Sequence, residues 1–187
     1  MTRLRTRTRL ALLAAALALG VAAARGATAE DGQDKYRLEE PNGIAFSEAR
    51  GYETWQAVGP SYRTDKNEVR VILGNDRLVK AYAEGVPLNG KPFPDGAVLV
   101  KIGYSQRKNA AFPDALEPDV LQRVELMIKD AKRFQRTRGW GFARFIYDAK
   151  TKTFSPYGKD ASFDQECAAC HTAVAGRDFV FTQYAPR

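Results

Sequence analysis

Histidine is nearly missing from this chain. His171 is the only one in 187 residues, and the only two cysteines, Cys167 and Cys170, stand immediately before it. One histidine and two cysteines exclude a zinc centre built from these ligands, which asks for a fourth partner of the same kinds. They also exclude a disulfide framework, because a Cys167–Cys170 bridge closes a tiny loop and contributes little. Methionine is as scarce: past Met1 there is only Met127. No internal repeat, low-complexity tract or long linker divides the sequence.

The first segment, "MTRLRTRTR", carries arginines and no acid, and runs into the alanine-rich stretch "LALLAAALALGVAAA" and the small residues "ATA" at 27–29. This reads as a secretory signal peptide over residues 1–29, with an uncleaved anchor as the alternative for so short a run. No paired arginine marks a twin-arginine route, so general secretion to the periplasm is expected. Removing residues 1–29 takes Lys plus Arg from 29 to 24 against 22 acids, leaving a net charge of +2. The basic character of the whole chain therefore lies in the leader, and no nucleic-acid partner is expected. Residues 30–187 have the length of one domain, with 30–42 read as a loose polar lead-in.

Residues 46–58 are expected to form a short helix that packs Tyr52 and Trp55 inward. "NEVRVILGN" (67–75) is dense in branched residues and reads as a strand; "DRLVKAYAEG" (76–85) reads as a helix stopped at Gly85. The segment "VPLNGKPFPDG" must be loop, and "AVLVKIGYS" (97–105) leaves it as a strand. Residues 120–134 fit a helix by spacing and a strand by the alternation of Val124, Leu126 and Ile128. "WGFARFIYD" (140–148) is expected as a strand ending in the turn "DAKTKTF", "ASFDQECAACH" as a helix, and "DFVFTQY" (178–184) as a closing strand. The count favours a β-rich α+β domain over a helical bundle.

Three chemistries compete for Cys-Ala-Ala-Cys-His beside zinc. A structural disulfide is weak for the reason given, and a thioredoxin-type redox pair wants a βαβ context that this C-terminal helical segment lacks. Covalent haem c uses all three residues. The thiols of Cys167 and Cys170 form thioethers to the vinyl groups, and His171, on the same helical turn, reaches iron as the proximal ligand. Export agrees, since c-type haem is attached outside the cytoplasm. An electron-transfer cytochrome completes its iron with methionine or a second histidine. Met127, between Leu126 and Ile128, reads as a core filler, although as an axial ligand it would make the protein an electron carrier. With Met127 in the core, the iron keeps an open distal face suited to gas binding or redox catalysis.

The stretches "YETWQAVG", "NEVRVILGN", "NGKPFPDGAVLVK", "IKDAKRF", "GWGFARFIYD", "ECAACH" and "DFVFTQY" resemble, in order and spacing, the cytochrome P-460 family, which includes the cytochromes called c′-beta. The resemblance covers nearly all of residues 30–187. It implies a mostly antiparallel β domain with a few helices and one haem c near the C-terminal helix, and it turns 120–134 toward strand. Founding members of the family oxidise hydroxylamine with a haem bonded additionally to a lysine side chain. The matching lysine is Lys101, which from its neighbours alone reads as an outward residue of an alternating strand.

Arg70 matches a family arginine near the distal pocket, where a guanidinium could bond a nitrogen oxide or a haem propionate; otherwise it is a solvated strand residue. Phe93, Phe142, Phe145 and Phe179 are candidates for an apolar distal cap, and Asp160, Asp164 or Glu166 for a distal proton acceptor. The resemblance thus implies a periplasmic mono-haem cytochrome that oxidises hydroxylamine with Lys101 and Arg70 at its site and an external redox partner as electron acceptor. The rival is a non-enzymatic nitric-oxide carrier or sensor of the c′-beta kind, which needs no lysine bond. Homodimerisation is common in the family.

Overall fold

The computed structural model describes residues 32–186, so the expected signal peptide at 1–29 lies outside the described residues. Six runs rich in branched and aromatic residues become strands: β1 (Gln56–Arg63), β2 (Glu68–Gly74), β3 (Val98–Lys108), β4 (Leu116–Lys129), β5 (Trp140–Asp148) and β6 (Thr153–Pro156). They form one sheet in the order β1-β2-β3-β4-β5-β6, every neighbour antiparallel. Chain neighbours pair throughout, so no crossover is needed. Helix α1 (Asp76–Ala83) sits between β2 and β3, and α2 (Asp164–His171) follows β6. Asn75 starts α1 and ties it to the sheet, its side-chain oxygen accepting from Leu78 N (3.0 Å) and Val98 N (3.1 Å). The fold is the expected β-rich α+β domain.

Side chains alternate across the strands, giving the sheet two unlike faces. One face carries Val98, Val100, Val124, Leu126 and Phe145, covered by Ile44, Phe46 and Tyr52 from the N-terminal segment. The other carries Ile72, Leu99, Trp140 and Phe142 at one end, covered by Leu78 and Tyr82 of α1, by Phe93, and by Val180 near the C terminus. Farther along that second face the side chains become charged, and this is where the site lies.

Three expectations change and one ambiguity resolves toward strand. Residues 46–58 are not one helix: short 3-10 turns at Phe46–Ala49 and Tyr52–Thr54, separated by Gly51 in a left-handed conformation (φ 81°), lead straight into β1. Tyr52 is buried as expected, and Trp55 packs against the same core while half-buried. The ambiguous 120–134 is strand up to Lys129, because pairing with both β3 and β5 satisfies its backbone in the middle of the sheet. Residues 178–184 are not a strand. Asp178 and Phe179 both have positive φ (47° and 64°), which breaks the extended path, and Tyr82 Oη takes the Thr182 carbonyl at 2.8 Å. The turn "DAKTKTF" also yields β6, which pairs with β5.

The lead-in 30–42 is less loose than its polarity suggests. Glu40 is 1% exposed, and its carboxylate accepts from the backbone N–H groups of Arg144 (3.0 Å), Tyr157 (3.0 Å) and Gly158 (2.9 Å). This acid fastens the N-terminal segment to the β5–β6 end of the sheet. In Glu40→Gln an amide N–H would face one of those donors, and leaving a buried donor unmatched costs about 1–3 kcal/mol. Urea unfolding should register that loss as a lower midpoint at unchanged slope.

Candidate functional site

Helix α2 places Cys167, Cys170 and His171 at i, i+3 and i+4, so all three project from one side. Its start is pinned to the sheet by Asn42, whose amide donates to the Phe142 carbonyl (2.9 Å) and to Asp164 Oδ2 (3.2 Å). Asp164 and Glu166 lie in the first turn of α2, where the helix dipole favours acids. Cys167 is half-buried against the second core, Cys170 is exposed, and neither is in a disulfide. Burial pushes the Cys167 thiol up, against the pull of Arg144.

His171 is held in a defined orientation. Its Nδ1 lies 2.6 Å from the Phe179 carbonyl oxygen, which fixes the proton on Nδ1 and leaves the Nε2 lone pair as the ligand atom. The ring lies against Phe142 (centroids 5.0 Å apart) and edge-on to Phe181 (4.9 Å). Burial depresses the imidazole pKa, the Phe179 bond opposes that shift, and Lys101 adds to it; the neutral, metal-binding form gains.

The face toward α2 carries a ladder of charge. Lys101, Glu125 and Arg144 stand in one row across β3, β4 and β5, and Arg123 stands in the next. Glu125 Oε2 meets Lys101 Nζ at 2.5 Å and Arg123 Nε at 3.2 Å, while its Oε1 accepts from Arg144 Nε at 2.7 Å. Arg123 and Arg70 both pair with Glu68, which is 1% exposed. Gly103 lies beside this crossing: a Cβ there would make ordinary contact with the Glu68 carboxylate (3.4 Å) and with Arg123 Cγ (3.5 Å). Lys101 and Glu125 act electrostatically on both Cys167 and His171, so the ladder and α2 frame one site.

Burial lowers the Lys101 pKa, with Glu125 opposing and Arg70 and Arg123 reinforcing, which enlarges the fraction of neutral amine. For Glu125 burial works upward, but Lys101 and Arg144, then Arg123, overcome it and hold the carboxyl down at about 2. A depressed carboxyl stabilises the fold above its unfolded pKa of about 4.3 and loses that contribution as pH falls through about 2. With Lys101 carrying its ammonium, wild type should therefore lose on the order of 3 kcal/mol between pH 5 and pH 2 that Glu125→Gln does not lose. Urea midpoints measured at both pH values for both proteins give the comparison.

The expected site residues fall into distinct positions. Cys167, Cys170, His171 and Lys101 converge, and Arg70 joins them through Glu68. The four phenylalanines do not form one cap. Phe142 lies against the His171 ring, Phe179 contributes its carbonyl, Phe93 is buried beside Tyr82 and Trp140, and Phe145 is on the opposite face against Phe46 at 4.6 Å. Strand alternation decides this, since Phe142 and Phe145 differ by an odd number of residues. Asp160 is exposed and bonds Ser162, Asp164 holds Asn42, and Glu166 is exposed at the start of α2. Met127 sits half-buried between Leu99 and Phe142 on the site face and packs into the second core. Glu125 is the carboxylate that the sequence reading missed. Its signal was present: an acid in a strand, opposite Lys101 once β3 and β4 are paired.

A covalent haem c fits this set. Two thiols not in a disulfide lie on one side of a helix, and beside them an imidazole has Nδ1 satisfied and Nε2 available. Among the described residues no group of three or more His, Cys, Asp or Glu side chains forms a conventional metal site. A family model described as Cytochrome P460 matches residues 49–182. A search of curated proteins returns no match.

Proposed function

The chain belongs to the cytochrome P460 family, and on that premise we propose that it is an exported mono-haem cytochrome that oxidises hydroxylamine. The observation that carries the reading is the half-buried Lys101–Glu125 pair facing the haem-attachment helix. Cys167 and Cys170 would hold haem c through thioethers, and His171 Nε2 would bind its iron from the proximal side. When bound, the haem would supply the redox-active iron and the route by which electrons leave to an external redox partner.

Oxidation of hydroxylamine to nitric or nitrous oxide needs its protons taken away, and in this reading Glu125 would accept them. Held at about 2, Glu125 stays ionised throughout the neutral range but is a weak base. Lys101 is the strongest of the cations depressing it. If the Lys101 nitrogen is bonded to haem, as in the founding members of the family, its ammonium charge is gone and Glu125 becomes the stronger base. Arg144 and Arg123 keep the carboxylate oriented. Arg70 acts through Glu68, steadying Arg123.

The test is turnover of hydroxylamine by purified holoprotein with an artificial acceptor, against free haem. Turnover no greater than that of free haem overturns the reading. An unmodified Lys101 with a normal high-spin haem c spectrum would redirect it to a nitric-oxide carrier of the c′-beta kind. Periplasmic export belongs to the same proposal, and an intact mass beginning near Glu30 is the expected result.

A further inference from the structure

We propose that the buried Lys129–Asp178 ion pair is a positioning device for the proximal ligand: it holds the Phe179 carbonyl against His171 Nδ1 and thereby sets the donor strength of Nε2. The proposal rests on the reading of His171 as the iron ligand. Lys129 ends β4 and is 6% exposed; its ammonium meets both Asp178 oxygens, at 2.8 and 3.0 Å, and lies 4.9 Å from the Trp140 ring centre. Asp178 Oδ2 also accepts from Phe93 N at 2.8 Å. One side chain therefore ties the segment after α2 to the sheet and to the loop that follows α1.

The backbone at this point needs holding. Asp178 and Phe179 are consecutive non-glycine residues with φ 47° and 64°, in the left-handed region that a Cβ disfavours. That reversal brings the Phe179 carbonyl to 2.6 Å from His171 Nδ1. The far side is tied too: Arg177 donates to the Phe181 carbonyl at 2.8 Å, and Phe179 N donates to Val174 at 3.1 Å. A buried ion pair contributes little net stability over an apolar pair of the same volume. What this one contributes is place, fixing a strained turn that feeds the proximal hydrogen bond. A firm acceptor on Nδ1 makes the imidazole a stronger donor, which favours ferric over ferrous iron.

The experiment compares Lys129→Met, Asp178→Asn, their charge-balanced double variant and Lys129→Arg with wild-type holoprotein, by reduction potential and by the iron–histidine stretch in resonance Raman spectra. Positioning predicts that both single variants and the double shift the ferrous-to-ferric ratio at fixed potential upward about tenfold, or about 59 mV for one electron. The stretch should move to lower frequency in all three, while Lys129→Arg stays near wild type. A through-space field effect predicts instead that Lys129→Met and Asp178→Asn shift in opposite directions and the double stays put. That pattern, or unchanged frequencies, overturns the proposal. If Lys129→Met gives no holoprotein, the frequency in Asp178→Asn decides, because its side chain still accepts from Phe93. A wild-type protein without thioether-bound haem in its mass spectrum would refute the assignment of His171 itself, a result distinct from an insensitive potential.

Discussion

Glu125→Gln in the holoprotein is expected to lower kcat for hydroxylamine oxidation about 100- to 1,000-fold while leaving KM near its wild-type value. A positioned proton acceptor contributes roughly 10²–10⁴ to such reactions. The amide keeps the volume and one acceptor oxygen, so the bond to Arg144 at one oxygen or to Arg123 at the other survives, while the capacity to take a proton is lost. The pattern of an unchanged KM with a fallen kcat marks an interaction made in the transition state. Asp160→Asn and Glu166→Gln serve as controls, since both acids are exposed. They should leave kcat within about twofold, as expected of surface changes away from the chemistry. A loss at either of those positions, with Glu125→Gln active, would return the base to the segment before the haem motif.

Lys101→Ala is expected to remove the third covalent attachment, so the intact mass matches the variant chain plus a haem held by two thioethers, with no further hydrogens lost, and the Soret band returns to that of an ordinary haem c. Hydroxylamine turnover should fall to the level of free haem, while nitric-oxide binding persists. Where Lys101 carries a free ammonium, with its Nζ at 2.5 Å, the variant instead removes the cation nearest Glu125. Arg144 and Arg123 remain, so the carboxyl should then rise from about 2 but stay within the acidic range. Stability then separates two roles. If Lys101 were only a structural partner of Glu125, Lys101→Ala would lower the urea midpoint and leave the spectrum unchanged. Spectral change without turnover loss would keep the bond and discard its catalytic importance.

The parts of this protein that were legible in its sequence are those governed by short separations. Cys167, Cys170 and His171 lie within one helical turn, so their chemistry could be argued from spacing alone. Alternation in β2, β3 and β5 announced a sheet, because period two survives whatever the strand pairs with. The branched and aromatic residues of 178–184 carried the same signal and misled. There, Asp178 prefers the buried ammonium of Lys129 and the N–H of Phe93, and that preference outweighs the strand propensity of its neighbours.

The sequence by itself determined the clustering of both cysteines with the one histidine at 167–171, the scarcity of histidine and methionine, and the β-rich class. Only the tertiary structure decided that Glu125 faces Lys101, that Phe142 and Phe145 lie on opposite sides of the sheet, and that Phe179 offers a carbonyl instead of a ring. The reason is that each of these depends on register. Lys101 and Glu125 are joined by the pairing of β3 with β4, and His171 and Phe179 by a turn whose anchor, Lys129, lies 49 residues from Asp178. Side-chain periodicity says which residues share a face, but pairing between distant segments sets which of them meet, and burial then makes a misplaced charge costly enough to hold that choice.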